Sequence, residues 1–127
     1  MRVPARKILT LGVVAVGLVA ATLPPILSGS GGLWEVSRSA TGAGAEKICV
    51  PNSAALAQWE HRGKQCTRTV ISSTDEEAVI HYTCRGKDFG HSTVRVVTPR
   101  TLRIDTQGIS GGYPFAYVLH ARRAGNC

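Results

Sequence analysis

From Cys66 to Cys84 the chain reads CTRTVISSTDEEAVIHYTC, two runs rich in β-branched residues that alternate apolar and polar about an acidic turn. Folding the segment about Asp75 sets Cys66 against Cys84, Arg68 against Tyr82, Val70 against Ile80 and Ser72 against Ala78. Side chains alternate faces along a strand, so these pairs share one side of the ribbon. Thr67, Thr69 and Ile71 then oppose Thr83, His81 and Val79 on the other. The segment predicts a β-hairpin whose open end one disulfide can clip without moving the backbone.

The same period of two recurs on both sides of this hairpin. Leu33–Arg38 places Trp34, Val36 and Arg38 on one face and Leu33, Glu35 and Ser37 on the other, a first strand. A glycine-rich turn at Thr41–Ala45 leads to a short second strand at Lys47–Val50. Pro51-Asn52-Ser53 is a helix start with Asn52 or Ser53 as N-cap, Ala54–Arg62 is the one helical segment, and Gly63 stops it. Its apolar stripe of Ala55, Leu56 and Trp59 is narrow, so a helix of about nine residues must dock on the sheet to persist. After a turn at Arg85–Gly90 come strands at Thr93–Thr98 and Thr101–Thr106, joined at Pro99-Arg100. Val94, Val96, Leu102 and Ile104 face one way, and Arg95, Arg103 and Asp105 the other. Gly108–Pro114 reads as a long glycine-rich connection, and Phe115–Arg122 as the last strand. The expected fold is α+β and rich in strand, with about seven strands in one strongly twisted antiparallel sheet, open or closing into a partly open barrel, and one short helix.

The N-terminus breaks this pattern. Arg2, Arg6 and Lys7 precede the apolar run Ile8–Leu23, and Pro24-Pro25 and Ser28-Gly29-Ser30 follow it, the layout of a secretion signal over residues 1–28. Cleavage after Ala21 and cleavage near Ser28 or Ser30 both fit. An uncleaved membrane anchor is the alternative, but the apolar run is about 16 residues against the roughly 20 that a spanning helix needs. Residues 29–127 then form one small domain, periplasmic or secreted, or membrane-tethered if the signal stays. Small exported domains draw on covalent staples. All four cysteines lie in this part. With Cys66–Cys84 chosen by the hairpin, Cys49–Cys127 is the pair that remains; loop-closure entropy makes them worth about 3 and about 4 to 5 kcal/mol.

Charge changes the picture little. Of 15 Lys+Arg against 8 Asp+Glu, three sit in the signal, leaving an excess of four that is spread singly apart from Arg122-Arg123. Nucleic-acid grooves cluster their cations among stacking aromatics, and this chain does not, so no nucleic-acid partner is expected.

The elements Gly32-Leu33-Trp34-Glu35-Val36, Lys47-Ile48-Cys49, the Cys66/Cys84 hairpin, Gln107-Gly108 and the terminal Arg122-Arg123-Ala124-Gly125-Asn126-Cys127 together resemble a bacterial exported family, the domain of unknown function thirty-six-seventeen. The resemblance spans nearly all of Gly32–Cys127. Its members typically start on Leu-Trp-Glu and end on basic-Gly-Asp-Cys; here Asn126 stands in place of the Asp, and the Thr41–Ala45 loop is shorter than usual. The resemblance implies no activity and no catalytic residues.

Motifs for chemistry are sparse. His61, His81, His91 and His120 form no metal-ligand spacing, and a metal centre would have to assemble from the helix, two strands and a loop. His81 lies beside Thr69 on the face opposite the disulfide, but Asp75-Glu76-Glu77 read as a solvated turn rather than as its partners. An even cysteine count in an oxidising compartment leaves no reactive thiol. Gly108-Ile109-Ser110-Gly111-Gly112 superficially matches Gly-x-Ser-x-Gly but reads as a flexible loop. No catalytic residue, metal or cofactor is expected. Trp34, Trp59, Tyr82, Phe115 and Tyr117 either fill a small core or line an apolar cleft under the helix. The functional expectation is a non-enzymatic envelope module binding a protein or an apolar small molecule. The alternatives are a structural or stress-protective protein without a ligand site, and an enzyme of unrecognised type. A polar-mouthed cleft favours the first, a closed core the second, and His81 or His120 sharing a hollow with a carboxylate the third.

Overall fold

The computed structural model describes residues 31–127, together with Arg2 and Gly12. The predicted signal segment and its cleavage sites lie outside the described residues. Seven strands form a single antiparallel sheet: β1 (Gly32–Ser37), β2 (Glu46–Val50), β3 (Cys66–Ser73), β4 (Glu77–Cys84), β5 (Phe89–Thr98), β6 (Thr101–Ser110) and β7 (Tyr113–Gly125). Their order is β2-β1-β7-β6-β5-β4-β3, so the first hairpin docks on the last strand and the sheet keeps two free edges, β2 and β3. Among the described residues the one helix, Ser53–His61, lies on the inner face. The hollow along the seam between the two edges, about 550 Å³, is lined by Ile48 and Val50 of β2, Leu56 and Trp59 of the helix, and Cys66 and Arg68 of β3. The sheet curls round without closing, and the helix fills the gap.

Alternation decides what is inside. Trp34 and Val36, Ala78, Ile80 and Tyr82, Val94, Leu102 and Ile104, and Leu119 and Ala121 are all buried on the inner face. The helix contributes Ala54, Leu56, Ala57 and Trp59 to the same core. It has no wet stripe, because a helix inside a curled sheet meets protein on most sides. It is also not the α-helix that the sequence suggested. The segment is a 3-10 helix broken at Gln58 (φ −102°, ψ 28°), as suits a short piece shaped by its surroundings. Asn52 stands at the N-cap with extended backbone, but its side chain makes no capping bond. At the other end Gln58 Nε2 donates to the carbonyls of His61 and Lys64, both at 2.9 Å, and so closes the last turn.

The central hairpin pairs as expected from Cys66↔Cys84 to Val70↔Ile80. Beyond that the register slips: Ser72 meets Val79 and Ser73 meets Ala78, with a bulge at Ile71. The turn is built on Thr74, whose amide donates to the Glu77 carbonyl at 2.7 Å and whose Oγ1 accepts the Glu76 and Glu77 amides. A two-residue turn centred between Asp75 and Glu76 absorbs one residue fewer than a turn centred on Asp75, and the bulge takes up the difference. The Gly108–Pro114 connection is also corrected. Strand β6 continues to Ser110, β7 begins at Tyr113, and Gly111 (φ 57°) and Gly112 (φ 85°) alone make the turn. Two consecutive positive φ values are what a tight hairpin turn with the right twist requires.

Both disulfides form as paired in the sequence reading, with Cα separations of 5.8 Å for Cys49–Cys127 and 4.0 Å for Cys66–Cys84. No described cysteine is free, which points to a compartment outside the reducing cytoplasm. No helix among the described residues is long and apolar enough to cross a membrane. The tail is tied down by more than its cysteine: Arg123 donates to the Gly31 carbonyl at 3.1 Å and to Asn126 Oδ1 at 2.9 Å. Asn126 thus supplies the acceptor oxygen that an aspartate would supply there. Arg122, the other member of the pair, meets Glu35 at 3.1 Å.

Candidate functional site: an arginine-flanked aromatic cleft

The five aromatic candidates divide into three groups. Trp34 and Tyr82 are core residues, 2% and 0% exposed. Phe115 is half-buried and packs edge-on against His61 at 5.7 Å. Trp59 and Tyr117 come together at the rim of the sheet. They line an open cleft of about 880 Å³ between the helix and the inner faces of β1, β2 and β7, with Val36, Ile48 and Leu119 as its apolar floor.

The mouth of the cleft is charged. The Arg38 guanidinium lies 3.8 Å over the Tyr117 ring, and that of Arg62 lies 3.7 Å over Trp59. Both contacts are within cation–π range. Arg62 also pairs with Glu46 at 3.3 Å, whereas Arg38 has no carboxylate partner among the described residues. Tyr117 donates its hydroxyl proton to Glu60 Oε2 at 2.6 Å. Burial, and then that bond to a carboxylate, raise the Tyr117 hydroxyl well above the ordinary tyrosine range. Tyr117 is therefore a fixed, neutral wall of the cleft.

The residue that sequence reasoning missed is His61. Across the sheet, Tyr82, Gly90, Gly108 and Phe115 form one inner-face row on β4, β5, β6 and β7. The glycines matter: a Cβ on Gly90 would fall inside the Tyr82 ring, and one on Gly108 would meet the Phe89 carbonyl. The bare backbone lets the Tyr82 ring lie flat, and His61 reaches Tyr82 and Phe115 from the helix, with ring centres at 5.4 and 5.7 Å. His61 is fully buried, with Nδ1 2.9 Å from Tyr82 Oη. Its Nε2 lies 3.4 Å from Asp88 Oδ2, close enough for an ion pair but not aligned as a hydrogen bond. Burial works to raise the Asp88 carboxyl, but the Gly111 amide and the Lys64 ammonium outweigh it and hold it below its usual range. Burial, helped by the charges of Glu60 and Asp88, pushes Tyr82 up to about 12. This network fastens the end of the helix to two hairpin turns. A Tyr–His–Asp chain centred on the buried His61 joins residues that are far apart in sequence, and the single clue was a histidine at the end of the helix.

The remaining histidines lie on the outer face. His81 shares a shallow hollow with Asp88, and His120 shares one of about 480 Å³ with Glu35, the placement that the enzyme alternative calls for. Asp88 is paired with Lys64, however, and Glu35 with Arg122. Ser37 stands opposite His120, but its Oγ donates to the Ala43 carbonyl at 2.6 Å and accepts the Ser39 amide, so it serves the turn between β1 and β2. No group of three or more His, Cys, Asp or Glu able to hold a metal occurs among the described residues.

Comparison with known families decides the relationship. The model of the family described as "Protein of unknown function (DUF3617)" matches residues 27–127. The chain belongs to the DUF3617 family. The match runs through all seven strands and both disulfides of this DUF3617 domain, including the terminal Gly-Asn-Cys. Neither a curated protein nor a solved structure matches the chain.

Proposed function

We propose that this protein is an exported, non-enzymatic module of the cell envelope that binds an apolar small molecule bearing an anionic end. The observation that carries the reading is the cleft at Trp59 and Tyr117 with Arg38 over one ring and in no ion pair among the described residues. The two carboxylates that line the cleft, Glu60 and Glu46, are taken by Tyr117 and Arg62. Its volume is in the range of small-molecule sites, and it joins apolar walls to a few placed polar groups. The apolar body of the ligand would rest between Trp59, Ile48 and Leu119, and its anionic end would meet Arg38. An arginine already laid flat on an aromatic ring loses little further freedom when it binds an anion. Export is supported by the predicted signal and the two disulfides.

The test uses dodecanoate as probe and tryptophan emission as readout, since Trp59 lines the cleft while Trp34 is in the core. Saturable binding is expected, weakened by Arg38→Ala and by Tyr117→Ala, and dodecanol should bind less well than dodecanoate. Absence of saturable binding, or binding indifferent to both substitutions, would overturn the reading. Intact mass under non-reducing conditions, on protein exported by a bacterial host, tests the rest: loss of the signal and of four hydrogens is expected.

A further inference from the structure

We infer that His81 and His91 form a surface site for a transition-metal dication, Zn2+ or Cu2+, on the face of the sheet opposite the cleft. The two residues are ten positions apart in sequence but directly opposed on β4 and β5. Their place in the hydrogen-bond ladder follows from its ends. The Cys84 amide donates to the Asp88 carbonyl and the Val96 amide to the Glu76 carbonyl, so 84/88 and 76/96 are hydrogen-bonded pairs. Pair types alternate along an antiparallel ladder, which makes 81/91 a non-hydrogen-bonded pair, the type with Cα atoms about 4.5 Å apart and side chains closest. The 77/95 pair, of the same type, shows what this spacing permits: Glu77 and Arg95 meet at 2.6 Å.

The imidazoles stand with ring centres 6.1 Å apart. Two histidines on one tetrahedral metal, with metal–nitrogen distances of about 2.0–2.1 Å, hold their ring centres roughly 5 Å apart. Small side-chain rotations close the difference, since both rings are only partly buried and neither has a hydrogen bond to give up among the described residues. Phe89 lies against the His81 ring at 5.9 Å and shields one side of it. Thr69, opposite His81, and Gln107, opposite His91, extend the row on the same face with oxygen donors, and water completes the shell. Imidazole suits zinc and copper rather than magnesium or calcium, and the divalent order predicts tighter binding of Cu2+ than of Zn2+. All four cysteines are in disulfides and His61 is buried, so neither competes for the metal. The site lies on the other face from the cleft and does not rest on the ligand reading.

Isothermal titration of the untagged, exported chain with zinc chloride and with copper chloride tests the site. One ion per chain is expected, bound more tightly as Cu2+, with two nitrogens in the copper paramagnetic resonance spectrum. Loss of either ligand, in His81→Ala or His91→Ala, should weaken binding by about tenfold or more, whereas His120→Ala, on the same face, should leave it unchanged. Because both imidazoles must be neutral to ligate, binding should fall on acidification. Circular dichroism checks that the variants are folded, as expected for substitutions on a half-exposed face. Failure to bind either metal, or binding that survives both His81→Ala and His91→Ala, would overturn the inference.

Discussion

Replacing Gly90 with alanine tests the packing of the core at its tightest point. Gly90 has no positive φ and lies within β5, so backbone considerations alone predict a gain of about 0.5–1 kcal/mol from the substitution. The structure predicts the opposite sign. An added Cβ would fall on the Cζ, Oη and Cε1 atoms of Tyr82. That ring cannot retreat: it is fully buried, the His61 ring backs it at 5.4 Å, and its hydroxyl is 2.9 Å from His61 Nδ1. Overpacking a rigid site costs about 1–3 kcal/mol. Expelling Tyr82 also leaves His61 without its buried partner, at about 1–3 kcal/mol more. The net expectation, after the backbone gain, is a loss on the order of 1–5 kcal/mol, which for a domain of this size lowers the melting temperature by roughly 5–40 °C. Urea unfolding under non-reducing conditions measures it as a shift in midpoint at constant slope. A double-mutant cycle with Tyr82→Ala locates the cause, since Gly90→Ala should cost far less once the ring is gone. Unchanged or increased stability of Gly90→Ala would refute the account of the Tyr82–Gly90–Gly108–Phe115 row.

Two further outcomes follow from the staples and the tyrosines. The bridges span sequence separations of 78 and 18 residues, so Cys49→Ala/Cys127→Ala should cost about 4.5 kcal/mol and Cys66→Ala/Cys84→Ala about 3 kcal/mol, compared by thermal unfolding. Equal costs, or the reverse order, would count against the loop-closure account. Tyr82 keeps its proton up to about pH 12 in the folded state, whereas tyrosines of the unfolded chain ionise near 10. A raised folded-state value means that stability is intact below pH 10 and is lost as pH rises from 10 to 12. Tyr82→Phe should reduce that loss when urea midpoints are followed across the window, the remainder coming from Tyr117, whose hydroxyl is also raised. A loss of the same size in the variant would contradict the assignment.

Much of this architecture is written locally. The alternation of Trp34 and Val36, of Ile80 and Tyr82, and of Leu102 and Ile104 assigns each side chain to a face, and each is buried as expected. Alternation depends on one strand alone, so it can be read without knowing the neighbours. The Cys66–Cys84 bridge was legible for a related reason: the two strands are joined by a short turn, and pairing outward from it leaves few registers. The slip at Ile71 marks the limit of that logic, because a turn shorter by one residue displaces every pair between itself and the bulge.

The candidate sites were much less legible. Trp59 and Tyr117 were both named from the sequence, but their meeting depends on β1 docking against β7 and on a helix placed in the seam between the sheet edges. The guanidinium groups on their rings belong to Arg38 and Arg62, which the sequence shows as two scattered charges. His61 reads as the polar end of a helix and proves to be wholly buried, because the docked helix sets it against Tyr82 and Phe115, and Gly90 leaves room for the Tyr82 ring. His81 and His91 have no ligand spacing in sequence and stand side by side in the sheet. The difference has one physical origin. Face, turn and staple depend on the period of two and on neighbours a few residues away, which the chain specifies by itself. The cleft and the histidine pair depend on strand order and on register between strands, and these are settled only when the whole sheet curls round its helix.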